Sequence, residues 1–374
     1  MRSLSNILHL ATKELRGLLR DPIMLILIVY AFTFSVYTAA TAMPETLNKA
    51  PIAIVDEDRS PISMRIIDAF YPPFFLPPSL ITHAEMDARM DAGLETFALN
   101  IPSNFQRDLL AGRNPAIQLN VDATRMTQAF TGTGYVSSIV SAEVQEFAAG
   151  YRQDAEPGVA LVGRARFNPE LDPAWFGSIV QVINNVTMLS IILTGAALIR
   201  EREHGTIEHL LVMPVTPFQI MTSKILSMGL VVLLAASFSL AFVVQHLMEV
   251  PILGSIGLFL TGTALHLFAT TAIGIFLATI ARSMPQFGML LILVLLPLQM
   301  LSGGSTPRES MPEVVQFIML GAPTTHFVML AQAILFRGAG LTVVWPQFMA
   351  LGLIGGALFA YTLSHFRRAI GTFA

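Results

Sequence analysis

No cysteine occurs in the 374 residues, which excludes disulfides, thiolate nucleophiles and cysteine-held metals at once. Lysine is almost absent. Lys13, Lys49 and Lys224 are the whole complement and none follows a glycine, so the G-x-x-x-x-G-K-[ST] loop that wraps nucleotide phosphate is missing. The G-x-S-x-G nucleophile turn is missing too. The 8 histidines are scattered, and His204 and His209 stand five apart rather than at the i, i+4 spacing of a helical zinc pair. Charge itself is scarce: 13% of residues are charged against 53% hydrophobic, too little polar surface to cover one soluble domain. The long apolar runs hold almost no ionisable group. His266 sits in mid-run and His246 near an end, which leaves a proton relay without the carboxylates it needs. Residues 44–174 carry 10 Lys/Arg against 17 Asp/Glu, the opposite of a nucleic-acid footprint. The sequence therefore offers no catalytic, cofactor-binding or metal site and no nucleic-acid partner.

What is present is a series of apolar runs long enough to cross a bilayer. Residues 1–21 read as an amphipathic elbow helix, with Ile7, Leu10, Ala11, Leu15, Leu18 and Leu19 on one face and Lys13, Arg16 and Arg20 elsewhere. Residues 22–43 hold span one. The small residues at 40–42 mimic a signal-peptide cleavage site, but the run before them is longer than a signal's apolar core. Residues 44–174 lose the long runs and read as an inserted α/β domain. Residues 52–55, 97–101 and 116–121 are strands, Ser60-Pro61 and residues 103–106 are helix starts, Gly112 closes a helix, and 127–151 is a longer helix. His83 falls in a loop. Residues 175–374 supply spans two to six, at 176–199, about 225–244, 256–281, 287–301 with a kink at Pro297, and 348–366, with Trp175 at an interface position. Residues 314–336 are apolar but broken at 321–323, and read as two short helices dipping into one leaflet. The fold expected is an all-α membrane bundle of six spans with an α/β insertion between spans one and two.

Orientation follows from charge. The N-terminus, residues 200–224, Arg282 and the C-terminus together carry 10 Lys/Arg, against 2 in the short segments opposite, so both termini are placed in the cytoplasm and 44–174 outside.

The chain is organised around residues 200–224, which begin R-E-R-E-H-G-T-I-E-H-L-L-V-M-P directly after span two. Thr206 opens a short amphipathic turn with Ile207, Leu210 and Leu211 on one face, Gly205 allows a bend before it, and Pro214 and Pro217 end it. This segment is either a surface helix that contacts something outside the bilayer or a polar connector. The run R-E-R-E-x-G-T-x-E-x-L-L-V-x-P resembles the segment after the second span of ABC-2 type permeases, the membrane subunits of one class of ATP-driven exporters. Residues 301–303 through Pro307, Met311-Pro312 and Pro323 resemble that family's region before the last span, and residues 51–56 the start of its extracytoplasmic domain. The similarity covers nearly the whole chain and is strongest to bacterial inner-membrane transport permeases.

The resemblance implies a multi-pass protein of the bacterial inner membrane, with ATP and Mg on a separate ATPase subunit. It implies pairing as a homodimer or as a heterodimer with a related permease, a periplasmic adaptor, and a hydrophobic or amphipathic cargo. Glu201, Glu203, Gly205, Thr206, Ile207, Glu208, Leu210, Leu211 and Pro214 are then the ATPase-coupling residues. Asn184 and Asn185 inside span two, His266, and Gln299 with Ser302, Gly303, Gly304 and Pro323 are candidates for the translocation path or its outer gate; the alternatives are a helix-to-helix hydrogen bond for the asparagines, a packed side chain for His266 and a simple turn for the exit from span five. Gly262 and the pair Gly352/Gly356 suit close helix packing. A different class of function, an extracytoplasmic sensor or scaffold held by a membrane bundle, would need an unseen partner for its output.

Overall fold

The computed structural model describes residues 2–41, 47, 49–122, 126–150, 173–203, 205, 215–304, 306 and 308–371. The chain divides into two compact units, one of Met1–Ala42 with Ala165–Ala374 and one of Met43–Arg164.

The first unit is helical. α1 (Arg2–Leu19) buries Ile7, Leu10, Ala11 and Leu18 and packs on a later helix of the same unit. Asp21 then caps α2 (Pro22–Phe32), its carboxylate accepting from the Met24 N–H at 3.2 Å with Pro22 in the first turn, where its missing N–H costs nothing. α3 (Phe34–Thr41) continues the same apolar stretch. Numbering the helices of the second unit α4 to α7, this unit resumes with α8 (Pro173–Glu203), α9 (Pro217–Phe238) extended by a π-helical segment at Ser239–Leu247, α10 (Ile256–Ile280), α11 (Met284–Met300), α12 (Glu313–Met319), α13 (Pro323–Leu335) and α14 (Leu341–Gly371).

Five of these stretches are long and apolar enough to cross a membrane: Pro22–Thr41, Ala174–Glu203, Pro217–Leu247, Ile256–Ile280 and Leu341–Arg367. α12 and α13 meet at 91° and would make a sixth only if the bent pair were one span. α11, expected as a short fifth span kinked at Pro297, is a shorter apolar helix with Pro297 inside it, and the expectation of six spans is met as five to six apolar helices among the described residues. α9 begins well before residue 225. Thr216 accepts from the Gln219 N–H while Gln219 returns to the Thr216 N–H at 3.0 Å, and Pro217, expected to end the preceding segment, instead opens this helix.

α8 is the most enclosed of the spans and α14 the least. α10 packs against both, and glycine sets its distance from α8: a Cβ at Gly274 would lie 2.6 Å from the Ile191 carbonyl oxygen, and one at Gly195 would lie 3.1 Å from the Gly274 carbonyl oxygen. Gly262 likewise admits the Leu330 side chain, whereas Gly352 and Gly356 meet nothing within 4 Å. Gly274→Val is therefore expected to destabilise the bundle by about 1–3 kcal/mol, while Gly352→Val leaves it unchanged. Thermal melts of the two variants in the same detergent check this, and equal melting points would mean that α8 and α10 do not approach so closely.

The second unit is an α/β layer. β1 (Ile52–Asp56), β2 (Ser79–Leu80), β3 (Phe97–Ile101) and β4 (Gln118–Val121) form one sheet in the order β2-β1-β3-β4, parallel except for the β3/β4 pair. Strand alternation sends Ile52, Ile54, Phe97, Leu99 and Ile101 into a core shared with α4 (Pro61–Asp68), α6 (Phe105–Leu110) and α7 (Met126–Ala149). Val55 and Ala98 face the other way, onto Met86 of α5 (His83–Asp91). Arg65 ties α4 to α7 through Glu143 at 2.9 Å and Glu146 at 2.6 Å. Two local expectations change. The residue capping α6 is Asn104, in the left-handed region at φ 65°, rather than Ser103, and His83 opens α5 rather than lying in a loop.

Candidate functional site

The four charges that end α8 each find a different part of the helical unit. Arg200 Nη1 donates to Asp21 Oδ2 at 2.6 Å, joining α8 to the cap of α2. Glu201 receives Lys13 of α1 on Oε1 and Lys224 of α9 on Oε2, both at 2.7 Å. Arg202 Nη1 donates to the carbonyl of Ala281, the residue that closes α10, at 2.7 Å. The Met284 N–H, at the start of α11, donates to Glu203 Oε1 at 2.9 Å. One tetrapeptide thus reaches α1, α2, α9, α10 and α11.

Lys224 is the centre of this arrangement. Its side chain is 1% exposed, and besides Glu201 it donates to Glu14 Oε1 of α1 at 2.8 Å. An ammonium out of water is tolerated only with such partners, because the alternative is an uncompensated charge in a low-dielectric interior. Two of the chain's three lysines therefore converge on Glu201. Burial pushes the Glu14 carboxyl above the ordinary carboxylate range, with the Glu201 charge adding to the rise and the Lys224 ammonium opposing it. Gln219 Nε2 donates to Ser3 Oγ at 2.9 Å, a second tie between α9 and α1. The elbow helix, the end of α8 and the start of α9 are held as one cross-linked piece.

Of the coupling candidates, Glu201, Glu203 and Gly205 are described, with Gly205 at φ +68°, where a glycine has no steric cost. Thr206, Ile207, Glu208, Leu210, Leu211 and Pro214 lie outside the described residues. Glu201 is already committed to Lys13 and Lys224, so its reach is inward.

The path candidates fall into two groups. Asn185 donates to the Ala31 carbonyl at 2.5 Å and accepts from Gln181 at 3.1 Å, while Gln181 also reaches Ser35 at 2.9 Å, so these amides pin α8 to α2 and α3. His266 is buried, 2.9 Å from Thr187 Oγ1, and its ring stacks on Phe327 of α13 with centroids 4.1 Å apart. Ser190 donates to Thr270 Oγ1 at 2.6 Å one turn further along. Gln299 Nε2 donates to the Asn184 carbonyl at 3.3 Å. Ser302 donates to the Gln299 carbonyl at 2.9 Å and accepts the Gly304 N–H, Gly303 turns at φ +93°, and Gln332 of α13 reaches the Gly303 carbonyl. Pro323 is the first residue of α13 and is buried. The exit from α11 is thus stitched to α8 on one side and α13 on the other. Among the described residues no group of three or more His, Asp or Glu converges as a metal site would.

Sequence reasoning missed Lys224, Lys13, Glu14 and Asp21. The signal was available in Thr216-Pro217-x-Gln219, which marks a helix start and so places Lys224 inside an apolar helix, where an ionisable group needs a named partner.

Residues 22–363 match a family described as ABC-2 family transporter protein. The chain is 65% identical over 374 residues, the full length of both chains, to the inner membrane transport permease YhhJ of Escherichia coli (strain K12), and to the same degree to that of Shigella flexneri. It is 26% identical over 365 residues to the probable multidrug ABC transporter permease YbhR of Escherichia coli (strain K12), covering 96% of this chain and 98% of that one.

Proposed function

The chain belongs to the ABC-2 family of transporter proteins, and from that premise we propose that it is the permease subunit of an ATP-binding cassette exporter of the bacterial inner membrane. ATP, with Mg, is bound and hydrolysed by a separate subunit, since this sequence holds no phosphate-wrapping loop. The observation that carries the reading is the convergence of α1, α2, α9, α10 and α11 on residues 200–203, which directly precede residues 204–214 in the sequence. A push on that segment acts on several helices together. Two copies, or this chain with a related permease, form the path, and an apolar bundle suits a hydrophobic or amphipathic cargo handed to a periplasmic adaptor. The multidrug designation of a relative at 26% identity agrees with that cargo class. The test is reconstitution of the chain with its ATPase in liposomes: amphipathic drugs should stimulate ATP hydrolysis, and a complex whose hydrolysis ignores every such drug would remove the cargo assignment.

Residues 44–174 are placed in the periplasm and both termini in the cytoplasm, by the charge asymmetry of the short segments. Because the chain has no cysteine, a single Asn114→Cys substitution in the exposed end of the α6–β4 loop reports without background. Labelling by an impermeant maleimide in intact spheroplasts is the expected result. Protection at 114 together with labelling of Gly205→Cys would invert the topology.

A further inference from the structure

The α/β unit carries a cavity of about 560 Å³ between α4 and the edge strand β2, a volume suited to a small organic molecule. β2 has two residues and is the edge strand of the sheet, with no further strand paired to its outer side among the described residues. Leu80 of β2 and Met64 of α4 line the cavity and are left 66% and 61% exposed, an apolar surface facing outward on a unit whose central strands β1 and β3 are buried. The cavity also lies at the carboxyl end of β1, where the strand order reverses, with β2 to one side and β3 to the other. Loops diverge at such a point, and open α/β sheets bind ligands in the crevice that results.

Charge selects the ligand. The rim holds Asp56, Asp68 and Glu85 against Arg59 alone. Asp56 is fixed in place by the N–H groups of Asp58 at 3.1 Å and Arg59 at 2.8 Å and by the Ser63 hydroxyl at 2.9 Å. The Thr82 N–H and hydroxyl, at 2.9 and 2.8 Å, hold the Glu85 carboxyl below the usual carboxylate range and so keep it ionised at neutral pH. Asp68 has no hydrogen-bonding or ionic partner among the described residues.

We propose that this groove binds a small organic cation with an apolar body, its charge set among Asp56, Asp68 and Glu85 and its body against Leu80 and Met64. The assignment stands whether or not the chain transports what binds there. Rhodamine 6G, a lipophilic cation, is the probe, read by fluorescence anisotropy against the full-length protein in nanodiscs, with the anionic fluorescein for comparison and empty nanodiscs subtracted. The wild type should saturate at one site per chain. Asp68→Asn combined with Glu85→Gln, which keeps the helix-capping geometry, should weaken binding roughly tenfold, and Leu80→Ser should weaken it as well. Asp68→Lys, at an exposed position, keeps the fold and should abolish saturation. Unchanged affinity in all three variants, with elution and melting as in the wild type, would place the dye in the membrane bundle and overturn the assignment. Equal binding of fluorescein would overturn it too.

Discussion

Replacing Lys224 by methionine is expected to destabilise the helical unit by roughly 3–5 kcal/mol, the cost of removing one partner from a buried ion pair and leaving the other uncompensated. Lys224 is the one cation shared by Glu14 and Glu201, and although Glu201 keeps Lys13, Glu14 has no other basic partner among the described residues. Glu14 then takes up a proton, which neutralises it but loses the tie between α1 and α9. The double variant Lys224→Met with Glu14→Gln should recover a large part of the loss, because a neutral amide beside a thioether leaves no stranded charge. The two single variants and the double variant form a cycle, and melting in detergent measures each corner. Their effects should be far from additive, with a coupling of about 1–3 kcal/mol. Strict additivity would mean that the two side chains do not meet.

Truncating Leu210 and Leu211 to alanine is expected to abolish transport while leaving the bundle folded. The two residues lie outside the described part of the chain, and their spacing with Ile207 gives one apolar face a few residues beyond the charged end of α8. If both are buried against the ATPase, each side chain contributes roughly 1.5–3 kcal/mol of docking, so the pair decides whether the complex survives purification. Co-purification of the ATPase with the permease is the measurement. A well-folded double variant that retains its ATPase and still transports would reduce residues 206–214 to a connector. Reversal of Glu203 acts differently, since its carboxylate accepts the Met284 N–H and its loss frees the start of α11.

The spans were legible because hydropathy is a bulk property: a run of about twenty apolar residues reads the same whatever it packs against. The strands at Ile52–Asp56 and Phe97–Ile101 were legible because both are nearly continuous apolar runs buried on both faces. β2 escaped notice because two residues carry no period, and α5 because its sequence, HAEMDARMD, buries only Met86. The charged end of α8 was plain in the sequence, but its partners were not. Lys13, Asp21 and Lys224 are distant in the chain and meet charged partners through tertiary packing, and apolarity alone puts the start of α9 after Lys224, whereas the capping box at Thr216 puts it before. Glycine spacing misled in the same way: Gly352 and Gly356 have the four-residue interval of a packing face but meet open space, while Gly274 and Gly195, with no such interval, sit where backbones approach.

The central claim is that hydrolysis by a separate subunit drives this bundle through residues 200–214. The most direct test is uptake of an amphipathic drug into inside-out proteoliposomes that contain the permease with or without its ATPase. The account predicts uptake only when the ATPase, Mg and hydrolysable ATP are all present, and none when a proton gradient replaces ATP. Uptake by the permease alone, driven by that gradient, would contradict it.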